Sequence, residues 1–300
     1  MGTLDRMMVQ LLPYVPRAVV RRVSARYIAG DGVQEALDTV ETLNRSGARA
    51  TVDVLGEFVT EITAANAAAA AYVELFATIA KRQLDTQASV KLTQLGLQID
   101  RDVCVTNLRR LVRAAAQNAN LLTIDMEDSS CTQATLDLFV QARQESAQVG
   151  AVLQACLRRS QTDLERIMPL APNVRICKGI YLEPPSIAYV EREAVRRSFV
   201  TLVETMLQRP SFVGIATHDD VVVDRCLELL RRHGATPAQY EFQMLLGVRE
   251  ELRRKLLQAG HPVRVYVPFG EHWYAYSLRR LKENPTIARH VLRNLVAGER

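Results

Sequence analysis

The stretch FVGIATHDDVVVDRCLELLRRHGATPAQYEFQMLL, residues 212–246, contains two short β-rich runs with a helical segment between them. The first run, FVGIATHD (212–219), ends in polar residues, and the second, YEFQMLL (240–246), follows the junction RHGATP. Between the two runs, apolar residues recur at the spacing of one helix face. This stretch therefore predicts a strand, a helix and a second strand.

The same unit repeats along the chain and predicts a barrel. Eight strands, each followed by a helix, are typical of an α/β fold of the (β/α)8 TIM-barrel type. A doubly wound sheet is the rival, but the glycine-rich G-x-G-x-x-G turn that such sheets usually carry does not occur. We expect residues 1–46 to form two or three extra helices packed on a catalytic barrel of residues 47–300. The other six runs are ARATVDVLG (48–56), ASVKLTQLG (88–96), LLTIDME (121–127), AVLQACL (151–157), VRICKGIY (174–181) and VRVYVPFG (263–270).

Composition excludes several classes of protein. The 300 residues are 48% hydrophobic and 24% charged, and the net charge of +5 is scattered, without the basic tract that nucleic-acid binding would favour. Five cysteines with no C-x-x-C spacing indicate reduced thiols rather than a zinc ribbon or a disulfide framework. The N-terminus lacks a secretory pattern, and the apolar run 64–80 contains Asn66, Glu74 and Thr78. We therefore expect a cytoplasmic protein in which this run is a buried, alanine-rich helix.

Polar side chains occur near the ends of all eight predicted strands. A barrel enzyme places its chemistry at the carboxyl ends of its strands. Charged groups inside a barrel are costly unless they are paired or bind a ligand, so eight such strands favour a polar ligand site. These residues are Asp53, Glu57, Lys91, Asp125, Glu127, Gln154, Arg175, Lys178, Thr217, His218, Asp219, Glu241, Gln243 and Tyr266.

An excess of cations in the expected site indicates an anionic ligand: Lys91, Arg175, Lys178, Arg279 and Arg280 stand against the carboxylates Asp125, Glu127 and Glu57. The stretch WYAYSLRRLKE (273–283) places Tyr276 three and four residues before Arg279 and Arg280 on the predicted last helix. An arginine pair at the barrel mouth suits a small carboxylate, which arginine grips through two parallel hydrogen bonds. The alternative is a solvated basic patch with Glu283 as an ion-pair partner.

Other chemistries have weaker support in the sequence. A metal site is not favoured, because His218 is the one histidine at a strand end and no H-E-x-x-H or H-x-x-x-H spacing occurs. No G-x-S-x-G turn indicates a nucleophilic serine. Lys91 and Lys178, both assigned to strands, leave a Schiff-base aldolase open. The residues alone indicate a barrel enzyme that acts on a small anion, with a phosphate-bearing cofactor as one option.

Nine motifs, in order over about residues 25–295, narrow this interpretation. They are VDVLGE, SVKLTQLG, IDMED, VLQACLRRS, VRICKGIY, ATHDD, YEFQMLLGV, VRVYVPFG and YSLRRLKE. With them the chain resembles the proline dehydrogenase family, flavoenzymes that oxidise L-proline to Δ1-pyrroline-5-carboxylate. The resemblance implies a distorted (β/α)8 barrel that holds FAD without a covalent bond. It also implies a quinone as electron acceptor and peripheral contact with the inner face of the membrane.

The resemblance assigns roles residue by residue. Arg175 matches the arginine beside the reactive edge of the flavin, and Asp125 matches an acidic residue that supports Lys91. Glu57 matches a residue that pairs with Arg279 as a gate. The substrate site would comprise Lys91, Leu245, Tyr266, Tyr276, Arg279 and Arg280, with Glu57. The flavin would contact Met126, Gln154, Arg175, Lys178, Gly179, Ile180, Thr217 and His218.

The sequence departs from the family pattern at two positions and leaves alternatives open. Leu182 stands where tryptophan is frequent, and Asp219 stands where asparagine is usual. A dehydrogenase for hydroxyproline or another cyclic secondary amine is the nearest alternative. A lysine-dependent aldolase and a non-catalytic proline-binding barrel are two others. No oligomeric state follows from the sequence.

Overall fold

Eight parallel strands close into a barrel in the order of the sequence, and the last strand pairs with the first. The computed structural model describes residues 17–274 and 276–278 of the chain. The (β/α)8 prediction is confirmed. The strands are β1 (Arg49–Val54), β2 (Thr86–Val90), β3 (Leu122–Ile124), β4 (Val149–Gln154), β5 (Asn173–Cys177), β6 (Phe212–Ala216), β7 (Tyr240–Leu245) and β8 (Val263–Phe269).

Helices surround the strands, and in the described part of the chain two of them precede β1. The second of these packs against both β1 and β8 and so covers the seam where the barrel closes. A short 3-10 helix, Met168–Leu170, follows the sixth helix, and residues 273–274 and 276–278 are helical after β8. The helices are α1 (Arg17–Ser24), α2 (Val33–Arg45), α3 (Ile62–Arg82), α4 (Arg101–Gln117), α5 (Ser129–Glu145), α6 (Ser160–Ile167), α7 (Arg192–Leu207), α8 (Asp220–Arg232) and α9 (Glu250–Gln258).

Three aspartates fix helix starts at the rim where the strands end. Asp100, Asp128 and Asp219 cap α4, α5 and α8, and each side chain accepts hydrogen bonds from backbone N–H groups of the first turn. Such a cap stabilises a helix by about 1 kcal/mol. The βα loops that carry polar residues are therefore anchored on their helix side.

Helix α3 differs from the expectation of a buried helix. Only one face is buried, at Ala65, Ala69, Tyr72, Leu75, Phe76 and Ile79, and alanines dominate the exposed face. Among the described residues it is the one helix whose length and composition would also allow a membrane span, and 33% of that apolar window is buried within the fold. Its packing against α4 and the barrel is that of an outer helix of the ring.

All eight predicted runs extend past the ends of their strands in the structure, and two of them show the consequence for site residues. The run 88–96 was extended too far, because β2 ends at Val90 and a turn follows in which the Gln94 N–H donates to the Lys91 carbonyl. Strand β5 ends at Cys177, since Gly179 adopts a positive φ of 93°. Lys91 and Lys178 are thus the first residues after their strands, and the prediction that both lie within strands was wrong.

The polar residues of β7 do not all face the catalytic end. Glu241 lies near the start of the strand, and its Oε1 accepts from Arg264 Nε at 2.5 Å while its Oε2 lies 3.5 Å from Arg49 Nη1. Gln243, two residues along the strand, donates from Nε2 to Glu241 Oε1 at 2.8 Å. Glu241 and Arg264 form a buried ion pair at the amino-terminal end of the barrel, so the expectation that Glu241 belongs to the ligand site was wrong.

Candidate active site

A cavity of about 580 Å³ opens at the carboxyl ends of the strands. This volume is that of a typical small-molecule or cofactor site. Asp53, Glu127 and Glu241 of the predicted polar set do not line this cavity. It brings together every described residue to which the family resemblance assigns a role, except Glu57. Those residues are Lys91, Asp125, Met126, Gln154, Arg175, Lys178, Gly179, Ile180, Thr217, His218, Leu245, Tyr266 and Tyr276.

Asp125, just after β3, is the centre of the hydrogen-bond network. Its Oδ1 accepts from Arg175 Nη1 at 2.5 Å and from Ser89 Oγ at 2.6 Å, and its Oδ2 accepts from the Tyr266 hydroxyl at 2.7 Å. Burial opposes ionisation of this carboxyl. The charges of Arg175 and Lys91, with the hydrogen bonds from Ser89 and Tyr266, outweigh it and lower the pKa of Asp125. Asp125 is therefore a fixed anion that orients Arg175 and Tyr266.

Lys91 has a nearer carboxylate partner than the one expected from the sequence. Its Nζ lies 3.1 and 3.2 Å from the two carboxylate oxygens of Asp53 but 3.9 Å from Asp125 Oδ2. Burial acts to lower the pKa of Lys91, but the charges of Asp53 and Asp125 more than offset it and raise that pKa. Burial also raises the pKa of Asp53, against the lowering effect of Lys91. Asp53, rather than Asp125, is the main partner of Lys91.

Arg175 on β5 reaches the floor of the cavity. Its Nε donates to Gln243 Oε1 at 2.7 Å, and its guanidinium carbon lies 5.1 Å from the centre of the Tyr266 ring. Within the described residues, Arg175 Nη2 is buried without a hydrogen-bond partner. A buried unpaired guanidinium N–H is costly, so a ligand that accepts this hydrogen bond would fit here.

The residues predicted to contact a cofactor lie on the wall formed by β4, β5 and β6. Gln154 Nε2 donates to the Glu127 carbonyl at 2.8 Å, and its side chain lies against Gly179. A Cβ at position 179 would overlap Cys156 Sγ, so only glycine fits the close approach of these two loops. At the end of β6, His218 Nε2 accepts from the Leu245 N–H at 2.9 Å, which places the proton of a neutral ring on Nδ1.

A cluster of charged residues forms one rim of the cavity. Asp219 pairs with Lys178 Nζ, accepts two 2.9 Å hydrogen bonds from Arg196, and lies 3.6 Å from Arg192 Nη2. Burial opposes ionisation of Asp219, but Arg196 and Lys178 lower its pKa strongly. The Arg192 side chain is 75% exposed and lines the cavity together with Lys178. This rim therefore presents excess positive charge to a ligand.

Glu57 lines a second cavity of about 330 Å³ beside the first. Lys91 and Tyr276 line both cavities, so these two residues lie between Glu57 and the network around Asp125. The proposed carboxylate clamp, Arg279 and Arg280, falls outside the described residues, and its role stays a prediction.

The geometry bears on the alternative chemistries. Within residues 17–274 and 276–278, no cluster of three or more His, Cys, Asp or Glu side chains could hold a metal ion. A Schiff-base lysine needs a lowered pKa to attack as a free amine, whereas the pKa of Lys91 is raised. The cavity can bind an anion, hold a polar planar group against Arg175 and keep its charged groups out of bulk water.

Several residues of the site had no role predicted from the sequence. Asp53 was visible as a charge within a strand, and Gln243 as an amide within another. Ser89 and Arg192 carried no signal, because a small residue in a strand and an arginine at a helix start are both common. Their functions depend on distances across the barrel that spacing along the chain does not show.

Comparison with known proteins identifies the family. The family model described as Proline dehydrogenase matches residues 36–293.

The chain belongs to the proline dehydrogenase family.

Individual relatives agree with this assignment. Proline dehydrogenase 1 of Bacillus subtilis subsp. natto is 37% identical over 271 residues, which cover 90% of this chain and 90% of the relative. Proline dehydrogenase of Deinococcus radiodurans is 33% identical over 92% of this chain and 91% of its own length. Membership in this family makes the chain an oxidoreductase.

A solved structure shares the fold. Proline utilization A (PutA) from Bdellovibrio bacteriovorus, crystallised after inactivation by N-propargylglycine, superposes with a TM-score of 0.83 at 24% identity. The match covers 88% of this chain and 32% of the PutA chain, so this chain spans about a third of that protein. The likeness concerns the barrel fold alone.

Proposed function

We propose that the chain oxidises L-proline to Δ1-pyrroline-5-carboxylate with non-covalently bound FAD. One observation carries the proposal: residues that the family resemblance assigns to substrate and to flavin line a single cavity in a chain of this family. Lys91, Asp125 and Tyr266 lie on the β2, β3 and β8 side. Lys178 and Arg192 lie on the opposite side, after β5.

The residues present fit FAD. Arg175 Nη2 needs an acceptor, which an isoalloxazine ring offers through its nitrogen and carbonyl atoms. Gln154 and Gly179 line the same cavity, where they could contact a planar ring. Lys178 and Arg192 supply cations at the rim where the phosphates of a dinucleotide would need them. When bound, FAD would supply the hydride acceptor for the ring carbon that is bonded to the nitrogen and does not carry the carboxylate, and the amine proton would leave to solvent.

The chain's own residues bind and orient the substrate. The Lys91 ammonium, kept protonated by Asp53 and Asp125, is suited to a carboxylate and not to the role of base. Leu245 and Tyr276 would pack against the proline ring, and Arg279 and Arg280 would clamp its carboxylate. Holding the reacting groups in one geometry converts a collision into an oriented step. Arg175 is fixed by Asp125 and Gln243. Its positive charge would stabilise the negative charge that develops on the flavin during the reaction.

We further propose a quinone as electron acceptor, with peripheral contact at the inner face of the membrane. Family membership supports this. The loop that follows β5 also supports it, because the loop lines the cavity through Lys178 and Ile180 and exposes Leu182 and Val190. In this proposal the enzyme is cytoplasmic and touches the membrane with that rim.

Steady-state assays with an acceptor dye test the proposed function. We expect FAD-containing protein to reduce the dye with L-proline and to form Δ1-pyrroline-5-carboxylate, which mass spectrometry identifies. We expect kcat/KM for trans-4-hydroxy-L-proline to be lower, because Tyr276 would crowd a ring hydroxyl. A higher kcat/KM for the hydroxylated amino acid would favour the alternative dehydrogenase instead.

A further inference from the structure

The loop that follows β1, residues 55–61, carries Glu57 and forms one wall of the 330 Å³ cavity. Both chain neighbours of Glu57 are held by the turn that follows β2, at Thr93 and Gln94. This turn also carries Lys91, which lines both cavities. The position of Glu57 relative to Lys91 therefore depends on contacts between the two loops.

Phe58 supplies the first of these contacts. Its φ is +52°, a left-handed conformation that costs a residue with a side chain about 1 kcal/mol or more. Its N–H donates to Thr93 Oγ1 at 3.0 Å. A strained backbone persists only where its surroundings fix it, and this hydrogen bond is the contact that does so on the amide side.

Thr93 is itself fixed by Glu127. The Thr93 N–H donates to Glu127 Oε1 at 3.1 Å, and the Thr93 hydroxyl donates to Glu127 Oε2 at 2.5 Å. Both residues are fully buried. A hydroxyl has one proton, and the Phe58 N–H can only donate, so it takes a lone pair of Thr93 Oγ1 and the Thr93 proton points to Glu127. The loops after β1, β2 and β3 are thus joined through one hydroxyl group.

Gln94 supplies the second contact. Its Nε2 donates to the Val54 carbonyl at 3.1 Å, at the point where β1 ends. A Cβ on Gly56 would lie 2.5 Å from this nitrogen, so the amide of Gln94 covers the backbone of Gly56 closely. Glu57 therefore has a covered glycine on one side and a hydrogen-bonded, left-handed residue on the other.

We propose that Thr93 and Gln94 are positioning residues for substrate binding, which hold the Glu57 loop against Lys91. The proposal rests on the proposed function, because it takes the space around Lys91 as the proline site. Neither side chain touches that space, since neither lines the two cavities. In this proposal their effect on the substrate is exerted through residues 56–58.

The test compares Thr93→Val, which keeps the shape but removes the hydroxyl, with Thr93→Ser, which keeps the hydroxyl. Thr135→Val is the matched control, because the Thr135 hydroxyl is buried and has no hydrogen-bond partner among the described residues. In Thr93→Val we expect the KM for proline to rise about 3- to 10-fold, the range of the lost neutral hydrogen bond from the Phe58 N–H, with kcat within about 2-fold. The hydrogen bond from the Thr93 hydroxyl to Glu127 is lost as well, and its loss lowers the stability of the fold. FAD content should stay at the wild-type level, and Thr93→Ser should restore most of the KM.

Hydrogen exchange read by mass spectrometry gives a second, function-independent measurement. A peptide that spans residues 55–61 should exchange faster in Thr93→Val than in wild type, and not in Thr135→Val. Gln94→Met, which removes the donor to the Val54 carbonyl, should act in the same direction and serves if Thr93→Val does not fold.

The outcomes distinguish the positioning role of Thr93 and Gln94 from the proposed oxidation of proline. Faster exchange with an unchanged proline KM overturns the role in substrate binding. Equal exchange and KM in Thr93→Val and Thr135→Val overturn the loop contact as well. A wild-type protein that binds FAD but does not oxidise proline overturns the proposed function, whereas the exchange result still decides whether Thr93 holds the loop.

Discussion

The charge state of Lys91 follows from the carboxylates around it. Asp53 contacts its Nζ at 3.1 Å, Asp125 lies at 3.9 Å, and the charge of Glu57 acts in the same direction. Together they outweigh burial and raise the pKa of Lys91, so the group stays protonated throughout the neutral and moderately alkaline range. Lys91 is therefore available to a substrate carboxylate and unavailable as a base.

The pH dependence of Lys91→Met tests this assignment. The proline amine must be neutral to release a hydride, so kcat/KM of the wild type should rise toward alkaline pH. The group that titrates over this pH range is the substrate amine and not Lys91, so the rise of kcat/KM should persist in Lys91→Met. The KM should increase roughly 10- to 150-fold from the loss of one charged contact, and Lys91→Arg should lie closer to wild type. A flat profile in Lys91→Met would assign the proton transfer to Lys91.

Asp219 shows how one departure from the family pattern fits this chain. Its carboxylate caps α8 through the Val221 N–H and holds Lys178 and Arg196 at the rim of the cavity. An asparagine could cap the helix, but it could not balance two cations. The aspartate therefore gives the rim a fixed arrangement of charge, in which Arg192 remains the most exposed cation.

A substitution at Arg192 tests the role of this rim in cofactor binding. Arg192→Gln should weaken FAD binding to the apoprotein about 2- to 5-fold, the range of an exposed ionic contact. The loss of affinity should be smaller at high salt, which screens such a contact. Riboflavin lacks the phosphates, so its affinity should not change. Arg197→Gln, an exposed arginine on the same helix, is the control. Flavin fluorescence titration measures the affinity of the wild type and of both variants for FAD and for riboflavin. Equal losses for FAD and riboflavin would argue against a phosphate contact.

At the scale of elements, two polar layers occupy the barrel interior. Glu241 and Gln243 are two residues apart on β7, and so are about 6–7 Å apart along the strand while facing the same side. Gln243 joins Arg175 in the active site, whereas Glu241 pairs with Arg264 at the opposite end. The sequence predicted that both belong to the ligand site. It could not assign each to an end, because strand bounds read from sequence vary by a few residues.

Arg264→Met tests the assignment of the lower layer to stability. The substitution leaves Glu241 buried with Arg49 at 3.5 Å as its remaining cation, and such a loss costs about 3–5 kcal/mol. Urea denaturation should show this decrease in the free energy of unfolding. Arg82→Met, which breaks ion pairs with the exposed Asp38 and Glu41, should cost at most about 1 kcal/mol.

Kinetics of the same Arg264→Met protein complete the test. At temperatures where it is folded, the KM for proline should match wild type, since Arg264 does not line the cavity. A variant with unchanged stability and a raised KM would move Arg264 into the catalytic machinery.

At the scale of the whole molecule, the closed ring explains how much the sequence could predict. Parallel strands in a ring end at one rim, so Lys91, Asp125, Arg175 and Tyr266 could be grouped without coordinates. The partner of Lys91 could not be predicted, because Asp53 on β1 and Asp125 after β3 lie on either side of β2 in the ring. Only their distances to Lys91 Nζ distinguish the two carboxylates. The Thr93–Glu127–Phe58 contacts could not be predicted either, since they join three loops whose conformations depend on tertiary packing.

The ring also gives the cavity its two ends. Strands β5 and β6 stand opposite β1 and β2, so the cations at the rim and the network around Lys91 face each other across the barrel mouth, with Arg175 between them. This arrangement suits a long cofactor whose reactive part lies at the centre, beside a small zwitterionic substrate. We therefore propose that one cavity holds both the cofactor and the substrate.

An anaerobic titration of the purified protein, loaded with FAD, tests that claim most directly. L-proline added without oxygen should bleach the visible flavin absorbance, because the bound cofactor takes two electrons from each proline oxidised. A protein that holds FAD but keeps its full visible absorbance with excess proline would contradict the account.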